Sequence, residues 1–147
     1  DVPGIPGVPE GIRAGIGITD TVTLQLLVKL MVEITEHGAY SLISIKIEEI
    51  DFVKTPKFTE NITGHLDKTG YSNIILDLEN LYYIDSTGLS SLINISRKIK
   101  DNNNEMVVVC SSTKILQLFD IAKVGMFFKI FDSVENAENY LASREKP

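Results

Sequence analysis

Two kinds of hydrophobic pattern divide the chain. Between Thr21 and Ile34 apolar residues fall at Val22, Leu24, Leu26, Val28, Leu30, Val32 and Ile34, the period of two expected of a long half-buried strand. Further on, "NIILDL" and "MVVVC" are continuous short apolar runs. Such runs suit strands covered on both faces, as the inner strands of a parallel sheet are.

The segments around these runs carry helix and turn signals. Val32 to Thr35 and Tyr40 to Ile47 read as two strands joined by "EHGA" as a hairpin turn. Thr55 reads as a helix N-cap with Pro56 at the first helical position, Phe58, Ile62 and Leu66 share a face, and Gly70 can end that helix. Leu89, Leu92, Ile93, Ser96 and Ile99 mark the face of a second helix, closed by the turn-favouring "KDNNNE". A third helix spans Thr113 to Lys123, with Ile115, Leu118, Phe119 and Ala122 as its core-facing stripe. "FFKIF" reads as a short last strand, and Asp132 with Glu135 resembles a capping box that opens a terminal helix through Val134, Ala137 and Leu141. Strands alternating with helices predict an α/β domain with a central, largely parallel sheet.

With 147 residues and 44% hydrophobic content, the chain can build the core of one compact domain. Pro3, Pro6 and Pro9 exclude a helix or central strand from the start of the chain. Residues 1–30 therefore read as a leader or a fused or vector-derived extension, and residues 31–147 as the domain. An apolar strand outside the domain is best ordered against a sheet edge, so self-association through the 21–34 strand is an expectation. The net charge of −6 argues against a nucleic acid or an anionic membrane as partner. No apolar run reaches the length of a membrane span, and the first residues lack the pattern of a signal peptide. The single cysteine, Cys110, sits in an apolar run and cannot form an internal disulfide, which fits a reducing cytoplasm.

The stretch with chemical interest is "IDSTGLSSL", residues 84–92, where Asp85, Ser86, Thr87 and Gly88 separate a strand-like run from a helix-like one. A strand-to-helix junction leaves backbone N–H groups without partners and can present a side chain to solvent. On spacing alone, Asp85 or Ser86 reads as a simple N-cap and Gly88 as a residue that relaxes the turn. No Gly-x-Ser-x-Gly elbow, phosphate-binding Gly-x4-Gly-Lys-Ser/Thr loop or metal-ligand cluster accompanies them, and no cofactor or metal is expected. His37 reads as a turn residue and His65 as a helix residue.

The segment from "NIILDLENLYYIDSTGLSSLINISRKIK" to "ENAENYL" resembles the STAS domain of bacterial anti-sigma factor antagonists, with similarity running from about Met31 to the C-terminus. The resemblance implies a mixed, mostly parallel sheet of roughly four to five strands packed with about four helices. In that family the serine directly after the Asp of Asp-Ser-Ser/Thr-Gly-Leu is phosphorylated by the cognate anti-sigma factor, a serine kinase. Ser86 occupies that position, and Thr87 resembles a second, structural hydroxyl. "IEEID" is similar to the family's Gly-Glu-Leu-Asp, which makes Asp51 the acid beside the phosphorylation site; Glu48 replaces the glycine and makes the loop more acidic. Ser90 stands where many members carry Gly or Ala.

The resemblance thus implies a substrate and binder, not a catalyst. The unphosphorylated form captures the anti-sigma factor and frees the sigma factor, Ser86 phosphorylation switches it off, and a metal-dependent serine phosphatase resets it. Asp85, Ser86, Thr87, Gly88 and Asp51 form the expected switch and partner site. The alternative is a STAS scaffold, in a stress-sensing assembly or as a regulatory domain of an anion or lipid transporter. Of Tyr82 and Tyr83, at least one is expected inward, because neighbours in an extended segment face opposite sides. Phe127 and Phe128 read similarly, and "SRKIK" reads as a solvated helix end.

Overall fold

Gly38, at φ +76°, turns the chain between the first two strands. The computed structural model describes residues 31–144. The period-two segment upstream of residue 31, and any pairing through it, lie outside the described residues. β1 (Val32–Glu36) and β2 (Tyr40–Ile45) form the predicted antiparallel hairpin, with Val32 opposite Ile45. β2 then pairs in parallel with β4 (Asn73–Asp77), β4 with β6 (Met106–Val109), and β6 with β7 (Lys129–Phe131). The resulting five-stranded sheet has the order β1-β2-β4-β6-β7 and is parallel except at its first pair.

The four helices of the described residues are α1 (Thr55–Thr69), α2 (Ser86–Asp101), α3 (Thr113–Ala122) and α4 (Val134–Arg144). Helices on both faces explain the continuous apolar runs of β4 and β6. Ile74, Leu76, Met106 and Val108 belong to a core shared with Phe58, Ile62 and Leu66 of α1, Leu92, Ile95 and Ile99 of α2, and Ile115 and Phe119 of α3. Ile75, Val107 and Val109, pointing the other way, meet Ala137 and Leu141 of α4. Each such buried aliphatic side chain contributes about 1.5–3 kcal/mol relative to exposure. Cys110 lies in the core, and burial pushes its thiol up. Among the described residues no helix is long and apolar enough to cross a membrane.

Four local expectations are corrected. Thr55 is not the cap of α1: it is buried inside the first turn and donates its hydroxyl to the Asp51 carbonyl at 2.7 Å. Ser133, rather than Asp132, caps α4 by accepting the Asn136 amide at 3.1 Å, while Asp132 accepts from the Asn136 side chain. Ala122 is exposed, because Lys123 adopts a left-handed conformation at φ 57° and the following 3-10 turn brings Val124 into the core instead. On α2, Ile95 is buried with Leu92, Ser96 and Ile99, while Leu89 and Ile93, also assigned to that face by the sequence, are only partly buried.

Outside the main sheet, β3 (Glu49–Ile50) and β5 (Tyr83–Ile84) form a short parallel pair. Two residues each are too few to carry a readable period. Their function in the fold is positional: parallel pairing makes both strands end side by side, so the chain leaves Ile50 for Asp51 and Ile84 for Asp85 at the same edge.

Candidate functional site

At this edge Asp85 is the N-cap of α2, in extended conformation (φ −95°, ψ −179°). Its Oδ1 accepts the Gly88 amide at 2.9 Å, satisfying one of the unpaired donors of the first turn. Its Oδ2 accepts the Phe52 amide at 2.8 Å, and its own amide donates to the Ile50 carbonyl at 3.1 Å. One carboxylate therefore starts a helix and fastens a neighbouring loop.

Gly88 is needed for that close approach. A Cβ there would lie 2.7 Å from both Ile50 Cγ2 and the Ile50 carbonyl oxygen and 2.9 Å from Ile84 Cγ1. The glycine lets the first turn of α2 seat directly on the β3–β5 pair, which is a packing demand more than a relaxed turn.

Because Asp85 caps the helix, Ser86 does not. Ser86 is the first helical residue and is exposed, as is Thr87 beside it. Among the described residues no hydrogen bond involves the Ser86 hydroxyl, and both Asp85 oxygens already hold amides. The hydroxyl is presented at the surface of the described residues.

Asp51 holds the turn that leads into α1, whose own cap position, Lys54, makes no side-chain capping bond. Asp51 Oδ1 accepts the amides of Val53 and Lys54 at 3.1 and 3.0 Å, and its Oδ2 meets the Lys54 ammonium at 3.1 Å. Burial pushes the Asp51 carboxyl up. The Lys54 amide and ammonium bonds, the Lys54 charge and the Val53 amide outweigh that and hold it below its ordinary value. The fold thus brings Asp51, Asp85, Ser86, Thr87 and Gly88 to one edge, with Glu48 exposed just before β3.

Neither histidine joins them. His37 stacks on Tyr40 with ring centroids 4.9 Å apart, and His65, near the far end of α1, faces Glu36 at 3.7 Å. Among the described residues no cluster of His, Cys, Asp or Glu is grouped to hold a metal.

Two features around the β3–β5 pair escape the sequence reading. Phe52 and Val53, in the turn that Asp51 and Asp85 hold, are 68% and 67% exposed. Their signal is an apolar pair ahead of Pro56 that no strand or helix period would bury. Tyr82 and Tyr83 are both exposed, at 50% and 39%, which corrects the expectation that one points inward. Both amides donate to the single Glu48 carbonyl, at 2.8 and 3.2 Å, so two residues oppose one as at a β-bulge and the alternation is lost. Leu81 and Ile84 take the two buried positions on either side. Of the other aromatic pair, Phe128 is buried and Phe127 partly so.

Comparison with known proteins places this architecture. Residues 31–137 match the STAS domain family. An anti-sigma-B factor antagonist of Staphylococcus aureus is 32% identical over 87 residues, covering 59% of this chain and 80% of the relative. A putative anti-sigma factor antagonist from Thermotoga maritima superimposes with a TM-score of 0.68 at 17% identity, over 78% of this chain and 97% of that one. The Bacillus cell fate determinant SpoIIAA in its phosphorylated form superimposes with a TM-score of 0.58 at 15% identity, over 75% and 98% of the two chains. The chain belongs to the STAS domain family.

Proposed function

We propose that this chain is an anti-sigma factor antagonist whose unphosphorylated form binds an anti-sigma factor, a serine kinase, and releases the sigma factor, and that phosphorylation of Ser86 ends the binding. The observation that carries the reading is the position of Ser86: exposed, first in α2, and relieved of capping by Asp85. The name of the Staphylococcus aureus relative supports the role, and the SpoIIAA neighbour is a protein of this fold in phosphorylated form. A serine phosphatase, metal-dependent in the family, would restore the binding form.

The physics of the switch follows from the edge. A phosphate adds roughly −1.5 to −2 charge and three acceptor oxygens. The amides of Ser86 and Thr87, at the positive end of α2, can partly stabilise it, so the domain need not unfold. Asp85, Asp51 and Glu48 already make the edge acidic. A partner pressed against it would have to desolvate the new dianion among like charges, and binding collapses.

The test uses the full chain with the purified anti-sigma serine kinase of the same organism. With ATP, mass spectrometry should find phosphate on Ser86, and Ser86→Ala should abolish it while Thr87→Ala does not. In binding, Ser86→Ala should hold the kinase and Ser86→Asp should not. Equal binding by both, each folded by circular dichroism, would sink the switch and favour a scaffold in which Ser86 is an ordinary surface residue.

A further inference from the structure

Two exposed apolar pairs rim the β3–β5 pair: Phe52 and Val53 just past its end, where the Phe52 amide is bonded to Asp85, and Tyr82 and Tyr83 at its start. Phe52 is held by its amide on Asp85 Oδ2, and Val53 by its amide on Asp51 Oδ1. Tyr82 and Tyr83 are held by the Glu48 carbonyl, with Tyr83 opposite Glu49 in the β3–β5 register. The rim is therefore preorganised: its backbone is fixed before any partner arrives, which lowers the ordering cost of binding. Large side chains bared on a fixed backbone are the composition of interface anchors.

Charge decides what kind of surface fits. Glu48 and Glu79 are exposed near the tyrosines, Glu49 is partly exposed, and the Lys54 ammonium is occupied by Asp51. A second copy of the same edge would set acid against acid across a two-fold contact, and an anionic membrane would be repelled. A basic protein surface would be drawn to it.

We infer that the Phe52–Val53 and Tyr82–Tyr83 rim is the surface by which this chain grips its anti-sigma factor, with Phe52 and Val53 entering an apolar cleft of the partner that Lys or Arg side chains flank. The inference rests on the functional reading above and extends it. Ser86 follows directly on Asp85, the residue that anchors Phe52, so its phosphate would place a hydrated dianion against the apolar contact. The rim supplies the grip, and Ser86 decides whether the grip can close.

The experiment measures affinity of the full chain for the purified anti-sigma serine kinase by calorimetry. Four proteins are compared with the parent: Phe52→Ser with Val53→Ser, Glu48→Lys, Ser86→Asp, and Ile121→Ser with Met126→Ser. The last pair alters exposed apolar residues on and just after α3, away from the Ser86 edge. The Phe52/Val53 variant should lose about thirty-fold or more in affinity. Glu48→Lys should weaken binding with a flatter salt dependence, and the Ile121/Met126 variant should stay within about threefold of the parent. All four residues of the two double variants are exposed, so circular dichroism should match the parent. If the Phe52/Val53 variant binds like the parent while Ser86→Asp fails, this inference falls and the phosphorylation switch stands. If the parent does not bind the kinase at all, the functional reading falls and takes the inference with it.

Discussion

The β5–α2 and β6–α3 junctions look alike in sequence and differ in what their serines do. Both place a strand, an extended cap residue and a helix in succession, and both put hydroxyls at the helix start. At α3 the cap is Ser112, whose hydroxyl accepts the Ile115 amide at 3.4 Å. Ser133 serves α4 in the same way. At α2 an aspartate has taken the cap, and Ser86 stands one residue later with its hydroxyl unbonded among the described residues. A shift of one position separates a structural serine from a presentable one. The third residue past the cap differs in step: Ile115 is buried in the core, whereas Gly88 leaves room for Ile50.

That last difference yields the largest predicted effects. Ile115→Ala should cost about 2–5 kcal/mol by leaving a cavity. Gly88→Ala should cost about 1–3 kcal/mol for the opposite reason, since its Cβ has nowhere to go. Urea unfolding of both variants checks the pair. A Gly88→Ala variant as stable as the parent would show that α2 does not need its close seat on β3. Gly64, in the middle of α1, is the control: nothing lies within 4 Å of its added Cβ, so Gly64→Ala should gain about 0.5–1 kcal/mol.

The capping residues come next. Asp85→Ala removes the cap of α2 and the Phe52 anchor together and should cost about 1–2 kcal/mol. Hydrogen exchange should quicken at the Phe52 amide as well as at Gly88, which a simple cap loss at α3 would not produce. Ser112→Ala should cost about 0.5–1 kcal/mol, the low end of the capping range because its bond is long. Ser86→Ala should fall within about 0.5 kcal/mol of the parent. Equal costs for the two alanines would mean that Ser86 is a cap after all, and the contrast between the junctions would be lost.

Much of this was legible in the sequence, and the pattern of what was not is physical. "NIILDL" and "MVVVC" announced strands buried on both faces because burial on both sides leaves no polar alternation to read. The Asp85–Ser86 junction was legible as a strand-to-helix corner, and resemblance singled out Ser86. Which of two adjacent cap-capable residues holds the helix was not legible, because Asp and Ser serve equally well and backbone conformation chooses. The same ambiguity exchanged Asp132 for Ser133. β3 and β5 were unreadable as a pair because two residues carry no period. The shared Glu48 carbonyl, which turns both tyrosines outward, is a long-range bond with no local signature.

Asp51 offers the smallest effect, one confined to the turn that precedes α1. Its carboxyl is held below its ordinary value in the folded protein, so the folded state favours the ionised form more than the unfolded chain does. The stability this contributes is present above the unfolded value, about pH 4 for an aspartate, and is lost as pH falls through the lower folded value. Urea unfolding from neutral pH down to about pH 3 should therefore show an acid-side loss that Asp51→Asn reduces. The asparagine keeps an oxygen for the Val53 and Lys54 amides but surrenders the Lys54 ion pair, so the two proteins should converge as acid protonates the parent. The caps at α3 and α4 are serines and do not titrate in this range. Acid should consequently loosen the Phe52–Val53 turn before it loosens the starts of those helices, and exchange at the Val53 amide should rise earlier on acidification than exchange at Ile115. If both amides are released together, Asp51 is not what holds the turn, and the backbone tie from Asp85 to Phe52 alone must account for the rim's fixed shape.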